Sequence, residues 1–398
     1  MVHVRMHGAQ ARPSRRRFLR GAASMAGAAM LRPAIIRAQQ SVVSNPPREW
    51  GRDAAPTIYP DPDIIVVDPS FNDLMLGITA IRRLWTGFKW AEGPAWSSQG
   101  RYLVFSDVQD NTQYRYIWDN EEVTVFRRPS FNSNGNSFDF QGRQLSAQHY
   151  YRRVVRWEHD GSMAVIADSF EGKHLNSPND LVPHPDGSIW FTDPPYGDRL
   201  SEGHPDSAGG PTNPKGAFNP KLGAEDPGAL ETKRELPTNA YRWDPSGRLE
   251  IVVREDQLRD PNGICFSPDY KRLYIASTGK GPGDTGSGGN GAIYVFDVQG
   301  TRLANQHMFT DMMVDGVHCG PDGMRADVTG HLWCSSNAPL GSAGVLVFNP
   351  QGKLVGRIRL PEVAANVAFG GPKRDRLFIT ASQSLYVLQV QTQGAGPG

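Results

Sequence analysis

Past residue 40 the chain has no long segment in which apolar residues return every three to four positions, the period of an amphipathic helix. Short apolar runs of strand length take its place, bounded by glycine, proline, asparagine or aspartate. One pattern, a turn followed by an apolar strand ending in a small or acidic residue, recurs six times: GRYLVFSD (100–107), GRQLSAQ (142–148), GSIWFTD (187–193), KRLYIAS (271–277), GHLWCSS (330–336) and DRLFITA (375–381). A second strand follows most copies, as in YRYIWD, VVRWEHDG, AYRWDPSG, AIYVFDVQG and GVLVFNPQG, and then a third, such as MAVIAD or LEIVV. Another short strand precedes each copy: GPAWS, GNSFD, DLVPH, GICFS, GMRADV and NVAFG.

Four strands per unit and six units predict an all-β fold, a six-bladed β-propeller of four-stranded blades. The last unit lacks an outer strand after LYVLQV. Ile81-Arg82-Arg83-Leu84-Trp85 is expected to supply it, which closes the ring and leaves no free sheet edge. The Gly-, Pro- and charge-rich stretch 198–239 is an insertion in the third unit, and a second glycine-rich run spans 278–291. Both leave the end of a blade's second strand, so both are expected on one face of the disc, with 198–239 as a mobile cover over it.

Counting back from the turns locates candidate chemistry. Eight residues before a turn glycine stand Glu92, Asn134, Asn179 and Asp322; six before Pro185, Pro268 and Pro372 stand Asn179, Asn262 and Asn366. Every blade therefore begins its innermost strand with Asn, Asp or Glu, and these side chains are expected to converge on one mouth of the central channel. One such residue alone reads as a turn or cap residue. Six at one register do not follow from turns. Carboxylate and amide oxygens without thiols or paired histidines suit a hard divalent cation, Ca²⁺ first, with Mg²⁺, Mn²⁺ or Zn²⁺ as alternatives. A central metal site is expected.

Charge and composition narrow the rest. The 42 basic and 41 acidic residues leave a net charge of +1, so neither a nucleic acid nor an anionic membrane surface is an expected partner. The string Ser14-Arg15-Arg16-Arg17-Phe18-Leu19-Arg20, followed by an Ala/Gly-rich run, resembles a twin-arginine export signal over 1–38. It implies the Tat machinery as a partner and a periplasmic or secreted protein. The run is too short to stay as a stable membrane span. Residues 39–78 read as an N-terminal extension, 79–390 as the propeller and 391–398 as a tail. Three cysteines are an odd number for a disulfide framework, and Cys265 and Cys334 lie in apolar strand patterns as small core residues.

The strings AEGPAW (91–96), LVFSD (103–107), LNSPNDLV…DGSIWFTDPPYG (175–197), PNGICFSPD (261–269) and PDGMRAD (321–327) resemble the gluconolactonase / senescence marker protein / luciferin-regenerating enzyme family. The resemblance covers roughly Trp90 to Leu388 and rests most on the long SPND…FTDPPYG string. It implies one catalytic divalent metal and hydrolysis of sugar lactones and related cyclic esters, a carboxylic-ester hydrolase. Carried over by motif, the metal ligands are Glu92, Asn179, Asn262 and Asp322, four of the six residues found by counting.

Roles follow from that implied chemistry. Asp322 is the candidate general base, because a metal-bound carboxylate keeps a second oxygen for a proton from water. Asp180 is a candidate partner of the site or of a substrate hydroxyl. Asn134 is assigned to substrate hydroxyls, and His149, expected on the same rim, to substrate binding or a proton shuttle. Tyr196, past a strand end, is free to face a ligand. Asn366 is expected to satisfy backbone groups at ring closure. Two competing readings remain: a non-catalytic periplasmic propeller binding a sugar or a partner protein, and an aryl-esterase or phosphotriesterase on the same site.

Overall fold

The computed structural model describes residues 48–50, 54–196, 234–279 and 288–397. The chain divides into two units, Met1–Gln39 and Gln40–Gly398, and the first lies wholly outside the described residues. The expected export signal falls there, and the expected cover at 198–239 lies outside them up to residue 233.

The second unit is a six-bladed β-propeller. Its blades span Ala91–Arg127, Ser133–Ala167, Leu181–Val253, Pro261–Thr310, Gly320–Arg359 and Ala364–Gln389. Each is an antiparallel meander in which the strand nearest the axis comes first in the chain, apart from the outer strand of the sixth. That strand is Arg82–Thr86, which pairs with Ser384–Gln389 and joins the two ends of the domain. Ring closure thus uses the segment the sequence pattern nominated.

Burial grades outward from the axis, which explains the strand composition. The second strands Tyr102–Asp107, Ile189–Asp193 and Leu332–Asn337 are buried along nearly their whole length, because neighbouring blades cover both faces. Such strands read as continuous apolar runs, as LVF, IWF and LWC do. Outer strands such as Glu122–Arg127 are half-buried at most. The apolar clusters lie between blades: Trp96 of the first stacks on Phe378 of the sixth, with ring centroids 6.0 Å apart and planes at 11°.

The N-terminal extension holds structure that the strand pattern did not reveal. Ile64–Val66 adds a fifth strand to the outside of the fifth blade, against Gly356–Ile358. Phe71 follows it and is fully buried against Trp333, 6.1 Å away. Asp61, itself buried, pairs with Arg48 at 2.9 Å and accepts the amide of Ile81 at 3.0 Å, tying the extension to the start of the closing strand.

Candidate functional site

The loop Asn176–Asp180, sequence NSPND, is held by the strand that follows it. Asp193 is completely buried and accepts the amides of Asn176 and Ser177 at 2.8 Å each. Ser177 Oγ donates to the Pro194 carbonyl at 2.5 Å. The Asn179 amide donates to Thr192 O at 2.9 Å, and the Thr192 amide to Asp180 O at 3.0 Å. The residues FTDPP therefore grip NSPND and set Asn179 at the head of its blade.

The six counted residues lie side by side around the axis. From the first blade to the second, Ser106 Oγ donates to Asn134 O at 2.9 Å. From the second to the third, the Gly135 amide donates to Asn179 O at 2.8 Å. Thr192 Oγ1 reaches Asn262 O at 2.6 Å, joining the third and fourth blades. A β-carbon on Gly263 would lie 1.9 Å from Asp322 O, and one on Gly323 1.9 Å from the Asn366 side chain. Glycine is required after Asn262 and Asp322 because the blades meet there. Across the last seam Asn366 Nδ2 donates to Glu92 Oε2 at 3.2 Å.

Hydrogen bonding sorts the ring chemically. Asn366 is satisfied at both ends, since its Oδ1 also accepts the Val367 amide at 2.8 Å. Glu92 Oε2 takes the Gly93 amide at 2.7 Å as well. By contrast, Oδ1 of Asn134 and Oδ1 of Asn262 are buried with no hydrogen-bond partner. An unpaired buried carbonyl oxygen costs about 1–3 kcal/mol, and an electropositive group bound in the ring could satisfy these two. Among the described residues no three His, Cys, Asp or Glu side chains form a metal-binding group. The ring's oxygens come instead from two carboxylates and four amides.

The remaining candidates sit close by, in surroundings the sequence did not disclose. His149 is buried, not on an open rim, and its Nε2 lies 3.4 Å from Asn134 Nδ2. Asp180 is buried too. Its carboxylate pairs with Arg325 across the channel at 3.1 Å, and its Oδ1 accepts the Leu181 amide at 2.9 Å. Tyr196 is mostly buried, its hydroxyl donating to Gly279 O at 3.3 Å, so the flank of the insertion touches the flank of the second glycine-rich run. Beyond the ring the far half of the channel holds a cavity of about 70 Å³, walled by Trp96, Phe138 and Phe266 and covered by Gly394–Pro397. No ring residue lines it.

Two residues escaped the sequence reading. Arg325 and Asn136 are polar residues inside inner strands, GMRADV and GNSFD, and that interruption of an apolar run was their only signal.

Comparison with known proteins is decisive at this point. The family model described as SMP-30/Gluconolactonase/LRE-like region matches residues 90–383. The chain belongs to this family. A gluconolactonase of Zymomonas mobilis is 27% identical over 346 residues, which cover 82% of this chain and 85% of that protein. The solved structure of a gluconolactonase from Xanthomonas campestris is 30% identical with a TM-score of 0.65, covering 85% of this chain and 99% of its own. Regucalcin from Agrobacterium tumefaciens, a calcium-binding protein, is 18% identical over 80% of this chain and 95% of its own, with a TM-score of 0.58; it shares the propeller fold. Family membership and the two gluconolactonase relatives support an enzyme that hydrolyses lactones.

Proposed function

We propose that this protein is a metal-dependent hydrolase that opens sugar lactones. The observation that supports the metal is the bare, buried amide oxygen of Asn262 in a ring that also holds the carboxylates of Glu92 and Asp322. A buried ring of carboxylate and amide oxygens suits a hard divalent cation, with Ca²⁺ the best match to this donor set. Glu92, Asn179, Asn262 and Asp322 would hold it. When bound, such an ion supplies Lewis acidity toward a lactone carbonyl and lowers the pKa of water.

The chain's own residues supply the rest. Asp322, the most accessible of the ring's carboxylates at 9% exposure, takes the proton from the attacking water. Asn134 and the adjacent His149 bind substrate hydroxyls, and His149 shuttles the proton taken up by Asp322 to the leaving alkoxide as the ring C–O bond breaks. Asn366 keeps Glu92 aimed by its hydrogen bond. Asp180, neutralised by Arg325, fixes the floor of the site without adding charge to it. Residues 1–38 are proposed to direct the protein through the twin-arginine route to the periplasm, on the strength of SRRRFLR before the Ala/Gly-rich run.

The test is a metal analysis of the purified protein followed by hydrolysis assays on a panel of δ- and γ-lactones and aryl esters. Activity on sugar lactones that disappears with chelator and returns with Ca²⁺ is the expected result. Full activity after chelation overturns the metal, and a metal-loaded protein inert on the whole panel overturns the enzyme.

A further inference from the structure

Two residues past each ring residue, five of the blades carry Pro94, Leu181, Ile264, Met324 and Ala368. The second blade carries Asn136, which is completely buried. A propeller inner strand has no need of an amide at this register, since the other blades fill it with apolar residues. A buried side-chain amide must find partners, and Asn136 finds them in both directions.

Toward the ring, Asn136 Nδ2 donates to Gly93 O at 2.8 Å, to Ser106 Oγ at 3.0 Å and to Asn134 O at 3.1 Å. Away from it, Asn136 Oδ1 accepts from Gln113 Nε2 at 2.9 Å and Gln144 Nε2 at 3.2 Å. The oxygens of both glutamines in turn accept from Arg127 Nη1, at 2.9 and 2.6 Å. Arg127 stacks over the Phe126 and Trp157 rings, its guanidinium carbon 4.1 Å from each centroid.

The polarity of this chain of bonds is set at its ends. A guanidinium can only donate, and backbone carbonyls can only accept. The three intervening amides therefore have a single satisfied orientation, with every NH₂ pointing toward the ring and every oxygen toward Arg127. Such a network has no second arrangement to relax into, and a fully satisfied buried network holds its members rigidly. What it holds is the backbone at two ring positions: the carbonyl of Gly93, next to Glu92, and the carbonyl of Asn134.

We infer that Asn136 is a positioning residue for the ring, and that Gln113, Gln144 and Arg127 form the chain that orients it. It fixes the Asn134 peptide and the Gly93–Pro94 peptide one residue past Glu92, and so restrains the backbone that carries both side chains, without touching ligand or substrate itself. This inference rests on the reading of the ring as a cation and lactone site. Residues that orient ligands in this manner typically affect metal affinity 10- to 100-fold.

The experiment uses the full-length purified protein with calcium chloride as the probe, following the calcium-dependent rise in Tm alongside kcat and KM on a lactone the wild type opens. Asn136→Asp keeps the shape but turns both ring-facing donors into an acceptor. It is expected to weaken apparent calcium affinity at least 10-fold and to lower kcat/KM. Gln113→Met removes one donor to Asn136 from a distance and is expected to weaken calcium affinity several-fold with little change in the calcium-free Tm. A folded Asn136→Asp protein with wild-type calcium response and kinetics overturns the inference. If that variant does not fold, an unchanged calcium response in Gln113→Met overturns it instead. A wild-type protein that calcium does not stabilise sinks the reading of the ring, and this inference with it.

Discussion

Asn366 Nδ2 and Glu92 Oε2 lie 3.2 Å apart across the seam where the sixth blade meets the first, although 274 residues separate them in the chain. The bond does two things at once. It joins the sixth blade to the first at the ring, and it restrains the Glu92 carboxylate through Oε2. Asn366→Leu is expected to keep the fold, remove this restraint and reduce calcium affinity several-fold. Calorimetric titration with calcium checks it, and an unchanged affinity would show that Glu92 is aimed by other contacts.

Asp322→Asn retains an oxygen donor but loses the base. Hydrolysis should fall by two or more orders of magnitude, in line with the usual contribution of general-base catalysis, while the protein stays folded. Near-normal turnover in this variant would assign proton abstraction elsewhere, with His149 the next residue to change.

The pair between buried Asp180 and half-buried Arg325 makes a stability prediction. Arg325→Met strands the Asp180 carboxylate in the channel, and breaking a buried pair in this way costs about 3–5 kcal/mol. The double variant Arg325→Met with Asp180→Asn should recover much of that loss, because no charge is left uncompensated. Urea unfolding of the single and double variants measures both. Equal instability in the two would mean that packing and not charge is what Arg325 provides.

Asp193 gives a pH dependence with a definite sign. Burial pushes its carboxyl from 3.8 up to about 7, against the pull of the Asn176 amide, Arg152 and the Ser177 amide. The folded chain therefore holds this proton more tightly than the unfolded chain. The stabilisation it brings is complete below about pH 4, declines as pH rises and is gone above about pH 7. Unfolding free energies of the wild type and Asp193→Asn should differ in slope between pH 5 and 7 and run parallel above that. Parallel curves throughout would mean that Asp193 is ionised in the folded protein.

The proposed twin-arginine route makes export depend on the paired arginines. Changing Arg15 and Arg16 to lysine should strand the precursor in the cytoplasm, as fractionation would reveal. Normal delivery of the double variant would remove the twin-arginine assignment.

Much of this molecule was written in its strand periodicity. The blade number, the closing strand at Arg82–Thr86 and the six ring residues all follow from short-range spacing, because a propeller repeats one local unit and each copy carries its own register. Chain order alone determined that Glu92, Asn134, Asn179, Asn262, Asp322 and Asn366 are equivalent. Only the closed tertiary structure decided how they differ: Asn366 is satisfied by Val367 and Glu92, whereas Asn134 and Asn262 keep bare oxygens. It alone joined Asp180 to Arg325 across 145 residues, buried His149 beside Asn134, and laid Ile64–Val66 along the fifth blade. Those outcomes depend on which groups meet when the ring shuts. Periodicity records the face and register of a residue, while the partner that satisfies its polar atoms is set by contacts between blades distant in the chain.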